Sequence, residues 1–215
     1  CTASSRLIVT KGVHDAFLDR LTAAAADLVV GDPLDAKTQI GPVVDQSQMD
    51  QNMRYLTLAS EEGCDVRGGG LGNGNGFFMH PAIFAGATNA MRVSREEIFG
   101  PVLTVYLYDD NEFDAILRVC DKASPYALTG SIFSTNEENI QKAFEALRFT
   151  AGNFYINDKP TGAVVAQQPF GGARASGTND KAGGPLNLLR WISPRSVKRT
   201  LEPPQDWTYP FMQQD

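Results

Sequence analysis

Histidine is nearly absent from this chain, with His14 and His80 alone among 215 residues. Cysteine occurs three times, at Cys1, Cys64 and Cys120, widely spaced and without a CxxC pair. Such spacing supplies neither a structural zinc site nor a disulfide framework, and an odd count suits a reducing compartment. No metal is therefore expected. Long apolar runs are missing too, since nothing approaches the roughly 18–20 residues needed to span a bilayer. The first residues carry no charged and apolar signal-peptide regions. Dense basic stretches are lacking, and the net charge of −6 excludes a phosphate-tracking surface, hence nucleic acid as a partner.

What is present is the makeup of a globular domain, 42% hydrophobic and 20% charged. A chain of this length buries about 70% of the surface its unfolded form exposes. "SRLIV" at 5–9 reads as a strand, and residues 13–30 as a helix with Phe17, Leu21, Ala24 and Leu28 on one face. A second helix fits 46–62 on the stripe Met49, Met53, Leu56, and "CDVRGG" leads as a strand into a glycine-rich loop. "FFMHPAIF" at 77–84 is extended, and "PVLTVYLY" at 101–108 is a strong strand. Helices over 111–123 and around Ile140, Phe144 and Leu147 alternate with strands at "TGSIFST" and "GNFYIN". The alternation over 101–157 predicts an α/β fold with a mostly parallel βαβ sheet. A short helix at 185–191, an edge strand at 194–201 and a Pro-rich tail complete the chain.

Three stretches bear on chemistry. The cluster "GGGLGNGNG" at 68–76 fits no GxGxxG register and leads into no helix, so it is a surface loop. Cys120 lies on an apolar helical stripe and Cys64 at a strand entrance, positions of small core residues. Cys1 sits instead among small and hydroxyl-bearing neighbours, "CTASS", which leave room for a substrate and offer amides to an oxyanion. "REEIFGP" at 95–101 is either a solvated acidic turn or a carboxylate and an aromatic set against a sugar. Residues 159–185 form a long glycine-rich stretch without periodicity, of the kind that builds functional loops.

Together these stretches resemble the aldehyde dehydrogenase superfamily. "EEIFGPVL" carries the general likeness. "CTASSR", "GNFYINDKPTG" and "QQPFGGARASGTNDKAGGP" resemble its Δ1-pyrroline-5-carboxylate dehydrogenase branch. The resemblance implies NAD-dependent oxidation of glutamate γ-semialdehyde to glutamate in proline catabolism. It implies Cys1 as the nucleophilic thiol, and Glu97 and Phe99 as the carboxylate and aromatic beside the nicotinamide ribose of NAD. It implies Thr2, Gly162 and Ala163 as the grip on the substrate carboxylate, and Phe170 as an aromatic against its methylenes. Thr2 departs from the usual Ser but keeps the hydroxyl.

Two divisions follow: 1–191 as an incomplete catalytic domain, and 192–215 as an oligomerisation strand and tail, giving a homodimer or larger assembly. The resemblance places the family's nucleotide-binding domain, water-activating Glu and oxyanion Asn before the cysteine, so the chain alone is expected to be inactive. The expected compartment is the mitochondrial matrix in a eukaryote and the cytoplasm in a bacterium. Three rivals remain: an N-terminal-nucleophile hydrolase using the Cys1 amine, a non-catalytic self-associating module, and another semialdehyde dehydrogenase.

Overall fold

The computed structural model describes residues 3–160, 163–164 and 166–213. Strand β1 (Arg6–Thr10) passes directly into helix α1 (Lys11–Ala26), and α2 (Gln46–Glu61) follows an irregular segment. Then come β2 (Asp65–Gly68), β3 (Ala82–Ala87), the single turn α3 (Arg92–Arg95) and β4 (Val102–Tyr108). The second half holds α4 (Phe113–Lys122), β5 (Tyr126–Ala127), β6 (Thr129–Ile132), α5 (Glu137–Ala146), β7 (Asn153–Ile156), β8 (Ala173–Arg174) and α6 (Pro185–Leu188). None of the described helices is long and apolar enough to cross a membrane.

The main sheet runs β1-β4-β3-β2. β4 is parallel to both β1 and β3, and β2 is antiparallel to β3. β3 explains the layering. Its side chains alternate between faces, as a strand's period of two requires, and both faces are apolar. Ala82 and Phe84 join Ala59 of α2, Val93 and Ile98 on one side. Ile83 and Ala85 join Val9, Val105 and Leu18 of α1 on the other. The sheet is thus sandwiched between α1 and the α2–α3 pair, each helix covering one apolar face.

The βαβ unit expected near the end of 101–157 exists, because β6 and β7 pair in parallel across α5. It does not extend the main sheet through β4. Both edges of β4 are already bonded, to β1 and β3, so β6–β7 forms its own pair. The α1 stripe also differs from expectation. Leu18 is buried, with Leu21 and Ala25 packed beside it, while Phe17 is 44% exposed. The helix begins at Lys11, straight out of β1, and this fixes its rotation. In the alanine-rich second half, apolar residues occur on every face and do not set the phase. The edge strand expected at 194–201 is corrected as well, since 192–200 is exposed and has no regular secondary structure. A strand needs a bonded neighbour, and among the described residues no backbone hydrogen bond reaches this segment.

Candidate active site

The turn that carries Glu97 and Phe99 is built from α2. Asp45 caps α2 by accepting the Gln48 N–H at 2.8 Å. One turn of that helix then carries polar side chains where the apolar stripe is interrupted. Gln48 Nε2 and Gln51 Nε2 both donate to the Ile98 carbonyl, each at 3.0 Å. Gln48 also donates to Oδ1 of the fully buried Asn52 at 2.9 Å, and Asn52 Nδ2 faces Met79 Sδ at 3.5 Å. With Ile98 held from below and buried, its neighbours are turned outward. Glu97 is exposed, and Phe99 is 55% exposed at φ 66°, a left-handed backbone that an aromatic residue adopts at a cost.

The two adjacent carboxylates play different parts. Glu96 accepts from Arg92 Nε at 2.8 Å and Nη2 at 3.1 Å, and from the Tyr55 hydroxyl. These bonds hold its carboxyl below the usual range. Glu97 has no hydrogen-bond partner among the described residues and is left available to a ligand.

The chain from Ala3 onward arrives at the same place. Thr104 of β4 donates its N–H to the Ser5 carbonyl at 3.1 Å, and its buried hydroxyl donates to the Val93 carbonyl at 2.9 Å. One residue thereby ties the N-terminal segment and the α3 turn to the sheet. Ala3, Ser4 and Ser5, residues 40–43 and residues 96–102 line a cavity of about 300 Å3. That is the low end for ligand pockets, room for one end of an extended cofactor. An exposed carboxylate suits ribose hydroxyls and an exposed ring suits a flat heterocycle, so the residues present fit the nicotinamide end of NAD.

Of the remaining residues singled out in the sequence, Cys1, Thr2 and Gly162 lie outside the described residues. Ala163 and Phe170 are described and do not line the cavity. They belong to the glycine-rich segment, which lies along β6 and β7. The Thr129 hydroxyl donates to the Pro160 carbonyl, and Ser131 Oγ donates to the Asp158 carbonyl at 2.5 Å. Further on, the Phe170 N–H donates to the Ala182 carbonyl at 2.9 Å.

The surroundings of both described thiols disfavour a nucleophilic role. Burial pushes the Cys120 thiol up to about 11. Burial, and then the charge of Glu62, raises that of Cys64, whose Sγ lies 3.7 Å from Met91 Sδ. Both stay protonated near neutral pH, where the thiolate is the reactive form. Sequence reasoning missed Gln48, Gln51 and Asn52. Their signal was the cap pattern Asp45-x-x-Gln48 and polar residues at helical spacing within a buried face.

The aldehyde dehydrogenase family matches residues 1–197 of the chain. The chain belongs to the aldehyde dehydrogenase family. Among curated members, it is 45% identical over 214 residues to the mitochondrial delta-1-pyrroline-5-carboxylate dehydrogenase of Dictyostelium discoideum, covering 99% of this chain and 38% of that protein. Its identity to the human mitochondrial enzyme of the same name is 43% over 216 residues, again 99% and 38%. Among solved structures, the Mycobacterium tuberculosis delta-pyrroline-5-carboxylate dehydrogenase bound with NAD and cobalamin superposes with a TM-score of 0.83 at 42% identity. That match covers 98% of this chain and 39% of the other. The chain thus spans less than two-fifths of the length of these aldehyde dehydrogenases.

Proposed function

We propose that this chain supplies the catalytic portion of an NAD-dependent dehydrogenase that oxidises glutamate γ-semialdehyde to glutamate. The observation that carries this reading is the cavity where Ala3–Ser5, which begin two positions after Cys1 in the sequence, meet Glu97 and Phe99. A thiol entering there would stand beside the carboxylate and ring that receive the nicotinamide riboside. Relatives of this branch, one of them bound with NAD, support the choice of substrate and cofactor.

In this reading the Cys1 thiolate adds to the aldehyde carbon, and the carbonyl oxygen takes the negative charge. Collapse of that adduct expels hydride and leaves an acyl thioester on Cys1. NAD, when bound, accepts the hydride. Water then cleaves the thioester, releasing glutamate and returning the thiol. Glu97 orients the ribose by accepting from its hydroxyls, and Phe99 screens the reacting carbon from water. Thr2, Gly162 and Ala163 hold the substrate carboxylate through a hydroxyl and backbone amides, and Phe170 covers its methylenes.

Self-association through residues 192–215 belongs to the same proposal. The chain exposes 14748 Å2, against about 9,700 Å2 for a compact monomer of its mass. Ile192, Val197, Leu201, Trp207 and Phe211 are all exposed in this segment. Residues 1–191 act as the catalytic unit and 192–215 as the assembly segment. In a eukaryote the compartment is the mitochondrion, as the names of the relatives carry.

The test is a protein of the relatives' full length that carries this sequence. NADH formation with the semialdehyde, lost in Cys1→Ala and weakened in NAD affinity by Glu97→Gln, is the expected result. An active Cys1→Ala protein overturns the reading.

A further inference from the structure

We propose that Lys181 is a positioning residue for the substrate-facing wall carried by Phe170, its ammonium fastening the glycine-rich loop to the start of β7. The proposal rests on the functional reading above, in which Phe170 contacts the aldehyde substrate.

The loop is attached at several points, β8 pairing with β5 among them, and one cluster of attachments lies beside Phe170. Lys181 Nζ donates to the Gly171 carbonyl at 3.0 Å, to the Gly152 carbonyl, and to Asn153 Oδ1 at 3.4 Å. An ammonium has three N–H groups and no acceptor, and here it faces three oxygens. All three are neutral, and no carboxylate lies within ion-pair reach of Lys181 among the described residues. Burial accordingly lowers its pKa from the ordinary lysine value. A charge placed against carbonyls without a counter-ion serves geometry more than charge balance.

The neighbouring bonds show what is being held. Asn153, buried at the start of β7, donates through Nδ2 to the Pro169 carbonyl at 2.9 Å and accepts the Gly171 N–H at 3.1 Å. Pro169 and Gly171 flank Phe170, whose own N–H is taken by Ala182, the residue after Lys181. Phe170 is thus bracketed on both sides by a clamp of two residues, Asn153 and Lys181. The backbones touch beneath it, since a Cβ on Gly152 would lie 1.9 Å from the Gly171 carbonyl oxygen. Lys181 itself sits at φ 56°, a left-handed backbone that glycine or asparagine adopts more readily. The bonds made by its side chain offset that choice.

The test uses a full-length dehydrogenase carrying this sequence, with Lys181→Met and Lys181→Arg. Lys181→Met should raise KM for the semialdehyde about 10-fold while KM for NAD stays within about 2-fold. Lys181→Arg keeps the charge but not the compact ammonium, and should raise the aldehyde KM by a smaller factor. A staple serving stability alone would lower the melting temperature and the yield of active enzyme without splitting the two KM values. If Lys181→Met does not fold, Lys181→Arg decides, and an unchanged aldehyde KM overturns the proposal. A wild-type enzyme inert towards the semialdehyde sinks the functional reading and this proposal with it. An active wild type whose variants keep its aldehyde KM sinks this proposal alone.

Discussion

Asn52 stands directly under Gly100, so close that a Cβ on the glycine would lie 2.3 Å from Asn52 Nδ2. The contact joins the middle of α2 to the turn bearing Glu97 and Phe99. It requires a residue without a side chain where the chain leaves that turn.

Gly100→Ala therefore forces either Asn52 or the turn to move. Overpacking of this kind costs about 1–3 kcal/mol. A lower midpoint in denaturant, together with weaker NAD binding in the full-length protein, is expected. An unchanged midpoint and unchanged NAD titration would show that the turn gives way freely.

Asp45→Ala removes the α2 cap. Loss of such a cap costs about 1 kcal/mol. Because the first turn of α2 carries Gln48, fraying there should also loosen the hold on Ile98. Urea titration reads the first effect. Hydrogen exchange at α2, faster at its start than its end, reads the second.

Asp121 accepts from Arg174 Nη2 at 2.5 Å and from the Thr150 hydroxyl at 3.1 Å. The Arg174 bond, ahead of the others, holds its carboxyl below the ordinary value. A depressed folded-state pKa means the pair stabilises above the unfolded value, near 3.9, and loses that contribution as pH falls through the folded one. Both side chains are about one-third exposed, so the gain is under about 1 kcal/mol. Asp121→Asn should melt slightly below wild type at neutral pH, and the gap should close as pH falls below about 4 and through the depressed folded value. A gap that persists in acid would locate the effect elsewhere.

Thiol alkylation near neutral pH should modify one cysteine rapidly and leave Cys64 and Cys120 slow, because burial keeps both protonated. Mass mapping of the first adduct checks this. Rapid labelling of Cys120 would contradict its environment.

The sequence made some of this legible and hid the rest for physical reasons. β-Branched runs such as Val102–Tyr108 announced the strands, and alternation announced the parallel β6–β7 pair across α5. Pairing partners were hidden, because periodicity says nothing about which edge of β4 is already taken. Glu97 and Phe99 were singled out by a motif, and they line the same cavity as Ala3–Ser5. Asn52 carries no motif, and Lys181 lies within one that assigns it no role. Their importance lies partly in contacts to residues 27 to 29 positions away, Met79 for Asn52 and Gly152 and Asn153 for Lys181, a relation that local spacing does not encode.

Among the described residues, both apolar clusters draw only on the stretch from Leu7 to Val105, and those from Phe113 onward contribute to neither. The second half is held by scattered burial at Ile116, Leu117, Ile140 and Ala143 and by polar clamps such as Asn153. Burial of this kind predicts unequal local opening, with amides of the second half exchanging with solvent faster than those of the main sheet. The turn bearing Glu97 should then be among the last parts to open, and the segment bearing Phe170 among the first.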